Sequence, residues 1–110
     1  MEKILEQTLL YDFYGELLTK HQKEIYEDVV LNDYSFSEVA QERGVSRQGV
    51  HDLIRRCNKI LEDYEKKLRL VEKFVLIKSQ IREMKAEIQR GKSLDREELT
   101  GQLDRILEQL

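Results

Sequence analysis

The 110-residue chain has no proline, no tryptophan, one cysteine, two histidines and only five glycines. With no proline and so few glycines, little interrupts long helical runs. Sustained period-two alternation is also missing, so the fold class expected is all-α. The lone Cys57 excludes an intrachain disulfide. It occupies an inward helical position and reads as a small core residue in a reducing cytoplasm. No stretch approaches the roughly 20 apolar residues that span a bilayer. The opening MEKILEQTLL has neither the basic start nor the apolar core of a secretion signal. A cytoplasmic location without membrane insertion is therefore expected. His21 and His51 fall on different predicted helices, and no HExxH, CxxC, GxGxxG or GxxxxGK pattern occurs. Metal, redox and nucleotide sites have no support, no cofactor is expected, and the chain reads as a non-enzyme.

What is present is a helix-turn-helix pattern over residues 32–59, NDYSFSEVAQERGVSRQGVHDLIRRCNK. Ser35 is placed to cap a first helix, with Glu38 three positions on at capping-box spacing. Val39 and Ala40 face inward, and Ala40 is small enough for a second helix to cross nearby. Gly44 is the turn residue because it adopts positive φ at least cost. Val45 is expected to plug the turn and Ser46 to cap the second helix. Val50, Ile54 and Cys57 then recur on the inward face, leaving Arg47, Gln48, His51, Arg55 and Arg56 towards solvent. Cap, small residue, glycine, plug and cap together fit a short interhelical turn.

In such a motif the N-terminal part of the second helix enters a groove of nucleic acid. Ser46, Arg47, Gln48, His51, Arg55, Arg56 and Lys59 are the candidate contacts. Arg47 and Gln48 sit deepest, with the reach and donors to read guanine or adenine edges. Arg55, Arg56 and Lys59 lie nearer the backbone. Residues 43–59 hold five Lys or Arg against one acid, Asp52, whereas residues 1–42 hold three basic and ten acidic side chains. Positive charge is thus gathered where phosphates would pass. The overall net charge of −3 and the placement of Asp52 oppose a strongly binding regulator of ordinary type. A solvated helix face is the plain alternative.

Charged residues make up 37% of the chain, which suggests long exposed helices. A first helix is expected over 2–18, with Ile4, Leu5, Leu9, Tyr11, Phe13 and Leu17 inward and Gly15 weakening its last turn. Thr19 caps a second helix over 20–31, with Ile25, Val29 and Val30 inward. The helix starting at Arg47 carries Val50, Ile54, Cys57, Leu61, Tyr64, Leu68 and Val71 at alternating steps of four and three. That 3.5-residue period keeps one stripe facing a partner helix. Leu61, Tyr64, Leu68, Val71 and Phe74 form the expected packing or dimer stripe. A second stripe, Phe74, Ile77, Ile81, Met84 and Ile88, is out of phase with the first, and a bend is expected near residues 70–73. Gly91 and Lys92 break the chain again. Ser93 is the expected cap of a last helix over 94–109, edged by Leu99, Leu103, Ile106 and Leu110. The division expected is a wingless helix-turn-helix domain over 1–70 and a helical extension over 71–110. The extension packs back on the chain or pairs with a second copy, and a homodimer is expected because symmetric pairs are the commonest oligomers.

Residues 18–68 resemble the small YlxM-type bacterial proteins, and the resemblance extends back through LLYDFYGELL at residues 9–18. Its marks are LTKHQ, SFSEVA after the turn, GVSRQGV and the LEDYEKKL that follows. The same stretch is similar to region four of bacterial sigma factors. In the family the place of Gly49 is usually taken by alanine, and glycine in a helix costs about 1 kcal/mol. The resemblance implies an accessory role in the signal recognition particle pathway, whose particle combines a GTPase with a structured RNA. On that expectation the helix-turn-helix docks on the RNA through its phosphates, and the acidic first two helices meet a basic surface of the GTPase. A DNA-binding transcriptional regulator and a pure protein-interaction module are the alternatives.

Overall fold

The computed structural model describes residues 2–110, and among them all regular structure is helical. The chain forms two compact units, Met1–Arg69 and Leu70–Leu110. The first holds α1 (Lys3–Tyr14), a single 3₁₀ turn (Gly15–Leu17), α2 (Lys20–Tyr26), α3 (Phe36–Arg43) and α4 (Arg47–Leu68). The second holds α5 (Leu70–Gln89) and α6 (Arg96–Gln109).

In the first unit the helix ends are set by local chemistry. Thr19 and Ser35 each close a full capping box, with Gln22 and Glu38 as the reciprocal partners. Gly44 ends α3 at φ +69°, and the Val45 N–H reaches back to the Ala40 carbonyl at 3.1 Å. That six-to-one bond is the Schellman closure, and it satisfies a carbonyl the helix would otherwise orphan. The Ser46 hydroxyl accepts from the Gly49 N–H at 2.9 Å and starts α4. Val45 itself is 40% exposed, so it does not plug the turn; the backbone closure holds the turn in its place. α2 runs on into a wider π turn over Glu27–Leu31, and Asp33 then takes φ +58° to redirect the chain into α3.

The core of this unit gathers Leu10, Tyr11, Tyr14, Leu18, Ile25, Tyr26, Val39, Ala40, Val50, Ile54, Cys57 and Leu61. Val29 and Val30 are only half-buried. The inward face of α1 differs from the expected one. Leu10, Tyr11 and Tyr14 are buried, while Ile4, Leu5, Phe13 and Leu17 are exposed. Partners on distant helices choose the phase. Tyr11 donates to Glu27, Tyr14 to Glu65, and Tyr26 to Asn58 Oδ1 at 2.6 Å. Tyr11 also stacks on Tyr26 with ring centroids 5.3 Å apart. Each buried phenol therefore keeps its hydroxyl bonded, which is the condition for burying it cheaply. Gly15 is buried because Tyr11 needs its space: a Cβ there would lie 2.8 Å from the ring. Helix α1 accordingly stops at Tyr14, short of residue 18.

Arg69 closes α4 in the left-handed region, at φ +55°, with its N–H on the Glu65 carbonyl. The interruption lies one residue before the expected bend, at a residue type that pays about 1–2 kcal/mol for that conformation.

The second unit is a helical hairpin. Gly91, at φ +80°, breaks the chain after α5. Asp95, not Ser93, caps α6, accepting from the Glu98 N–H at 2.8 Å. An aspartate there adds negative charge at the positive end of the helix, which a serine does not. The Gln102 amide donates to Glu87 across the hairpin at 3.4 Å. No residue of α6 is buried, and α5 buries only Val71.

Candidate nucleic-acid interface

Helix α4 is anchored by Val50, Ile54, Cys57 and Leu61, all buried, so its opposite face is fixed outward. Arg47, Gln48, Asp52, Arg55, Arg56 and Lys59 are exposed and His51 is half-buried. From Arg47 to Lys59 this face runs about 18 Å at 1.5 Å per residue. The candidate contacts are thus brought onto one side of one rigid element, except Ser46, whose hydroxyl is spent on the cap.

The polar partners sort these residues. Arg43, the first basic residue of the run, binds Glu24 at 3.0 Å and Asp28 at 2.9 Å. These hydrogen bonds raise its pKa further and tie the end of α3 to α2, so its charge is already matched. Lys59 approaches Asp63 one turn on at 3.4 Å. Among the described residues no ion pair engages Arg47, Arg55 or Arg56. Asp52, Arg55, Arg56, Lys59 and Ile60 line one shallow cleft of about 300 Å³. Three cations and one carboxylate share its lining.

That carboxylate is itself engaged. Asp52 Oδ1 accepts from Gln48 Nε2 at 2.9 Å and lies 3.8 Å from His51 Nδ1. The pair fixes the Gln48 side chain along the helix and commits one of its two N–H donors. His51 sets its ring edge-on to Phe36, with centroids 5.5 Å apart, and its buried Nδ1 has no hydrogen-bond partner.

A second cleft, of about 330 Å³, opens on the other side of Arg55. Lys3, Asp33, His51 and Asn58 reach it, with Val29, Val30 and Ile54 as its apolar lining. Arg47 and Gln48 line neither cleft. The sequence offered no sign of Lys3, which arrives from the first turn of α1 and is distant along the chain. Asn58 was equally unmarked, and it accepts from both Tyr26 and Gln7. The stripe expected for packing or pairing is divided. Leu61 is fully buried and Tyr64 stacks on Tyr14 inside the first unit, whereas Leu68 and Phe74 are exposed and Val71 is buried. Cys57 is buried and its thiol is pushed up to about 11 by desolvation, the signature of an inert core cysteine. Among the described residues no cluster of metal-ligating side chains forms, and no helix is long and apolar enough to cross a membrane.

Comparison with known proteins places this geometry in a family. The model of UPF0122, "Putative helix-turn-helix protein, YlxM / p13 like", matches residues 1–100. A UPF0122 protein of Acetivibrio thermocellus is 42% identical over 110 residues, which is all of this chain and 92% of that protein. One from Shouchella clausii is 41% identical over 96% of this chain and 95% of its own length. One from Staphylococcus epidermidis is 51% identical over 66% of each. The chain belongs to the UPF0122 family of YlxM/p13-like helix-turn-helix proteins.

Proposed function

We propose that the chain binds nucleic acid through the outward face of α4, with Arg47, Arg55 and Arg56 on phosphates, and that its target is the RNA of the signal recognition particle. The observation that carries the reading is the contrast among the arginines. Arg43 is consumed by Glu24 and Asp28, while the three on α4 are exposed and engaged in no ion pair among the described residues.

The balance favours a phosphate grip over base reading. Gln48 gives one amide hydrogen to Asp52, and the Asp52 carboxylate sits among the cations that would meet the backbone. Such a surface suits an A-form helix, whose deep and narrow major groove excludes side chains from the base edges. The signal recognition particle enters through the resemblance to YlxM-type proteins. Acidic residues outnumber basic ones ten to three over positions 1–42, an excess suited to a basic surface on the particle's GTPase. Three or four phosphate contacts give a salt dependence of slope about −3 in log K against log salt, modest for a nucleic-acid binder.

The test is equilibrium binding of the purified protein to signal recognition particle RNA and to a duplex DNA of equal length, at two salt concentrations. Tighter binding to the RNA at both is expected. Preference for the DNA would replace this reading with a transcriptional regulator, and no binding to either would leave a protein-interaction module.

A further inference from the structure

The α5–α6 hairpin half-buries Ile77, Met84, Leu99 and Ile106. A small cleft between its helices is lined by Gln80, Glu83, Met84, Glu87, Gln102 and Arg105, mostly polar side chains. The amide oxygens of Gln80 and Gln102 are buried there without hydrogen-bond partners. Other apolar residues stay in water: Ile81 and Ile88 of α5, seven apart, and Leu103 and Leu107 of α6, four apart, are 51–64% exposed. Isolated exposed leucines are ordinary, but at these spacings each helix presents an exposed apolar stripe of the kind a partner covers.

We infer that these stripes are covered by the same stripes of a second copy of the chain, closing a four-helix bundle of two hairpins about a two-fold axis. Charge selects this occupant. Helix α5 carries four Lys or Arg and three acids, net +1, with Arg90 and Lys92 just beyond its end, whereas α6 carries two and four, net −2, with Asp95 at its cap. The hairpin is therefore neutral overall, with opposite sign on its two helices. A face of this kind is self-complementary under a two-fold rotation, which lays the basic α5 against the acidic α6 of the partner copy. Around the bundle the helices then alternate in sign, and the two like-charged α5 helices sit on a diagonal.

Sedimentation of the full-length protein tests the assembly. A mass of twice 13.2 kDa is expected, and replacing Leu103 and Leu107 together with Glu should leave a monomer. A wild-type monomer at micromolar concentration, or an assembly larger than two, would overturn the inference. Disulfide trapping tests the helix order without relying on a variant that could misfold. Ile81→Cys mixed with Leu103→Cys should give a cross-linked pair of the two different variants. Ile81→Cys alone should not link to itself, because the α5 helices are diagonal. Preferential self-linking of Ile81→Cys would overturn the arrangement.

Discussion

The two units treat their apolar side chains in opposite ways. In Met1–Arg69 the large residues Tyr14, Tyr26, Ile25, Leu61 and Val39 are fully buried, and the phenols among them are hydrogen-bonded. In Leu70–Leu110 a single valine is buried, and the leucines of α6 stay in contact with water. Composition does not explain the difference, since both units carry amphipathic helices rich in charge. Connectivity does. Four helices can enclose a core, whereas two can only lay one stripe against another. The first unit is finished as a single chain and can spend its outer face on a ligand. The second leaves most of its apolar side chains open to water.

Core deletion breaks the comparison most severely. Leu61→Ala should cost about 2–5 kcal/mol of unfolding free energy, whatever the protein concentration. Leu103→Ala should cost much less at high dilution, and its effect should grow with concentration if the proposed pair of hairpins assembles. Denaturant titrations at two protein concentrations read both.

The acids that burial holds protonated against alkali all lie in the first unit. All five tyrosines and the cysteine precede residue 70. Burial lifts the Cys57 thiol to about 11 and raises Tyr11 and Tyr26 as well. A raised folded pKa on an acid means that the unfolded chain ionises first. The stability these groups supply is therefore whole below pH 9 and is lost as pH climbs to about 11 and beyond. For Cys57 the loss is on the order of 2 kcal/mol. Tyrosinate absorbance followed with far-ultraviolet circular dichroism should show Tyr11 and Tyr26 ionising only as helix is lost, and their ionisation in a chain of unchanged helicity would contradict this.

Two glycines sharpen the contrast further. Gly15→Ala drives a methyl into the Tyr11 ring and should destabilise by about 1–3 kcal/mol. Gly101→Ala meets nothing within 4 Å in the middle of α6 and should stabilise by about 1 kcal/mol. Thermal melts of the two variants should therefore move in opposite directions.

The smallest effect expected is at the interface. Asp52→Asn removes the carboxylate from among Arg55, Arg56 and Lys59 and should tighten nucleic-acid binding by about 1 kcal/mol. The stability of the fold should stay within about 0.5 kcal/mol of wild type. Fluorescence anisotropy against the same RNA reads the first, and a denaturation curve the second.

The helix-turn-helix was legible because its signals are local. Ser35 with Glu38, Gly44, and Ser46 act within a few residues of themselves. The phase of α1 was not legible, because apolar residues at 4, 5, 9, 10, 11, 13, 14, 17 and 18 surround most of the helix. What selects Tyr11 and Tyr14 are Glu27 and Glu65, which no local pattern reveals. The same holds for the interface. Basic residues could be counted from the sequence, but only tertiary contact shows that Arg43 is spent on α2. The break at Arg69 shows in the sequence only as a phase shift between two apolar stripes, because the chain uses a left-handed arginine where a glycine would have marked the residue itself.

The proposed function depends on the three arginines of α4, and their salt-dependent binding tests it most directly. Wild-type protein and a variant with Arg47, Arg55 and Arg56 all changed to Glu would be titrated with signal recognition particle RNA across a series of salt concentrations. The account predicts a slope of about −3 for the wild type and near-complete loss of binding in the variant. Equal affinity and equal slope for the two proteins would contradict it.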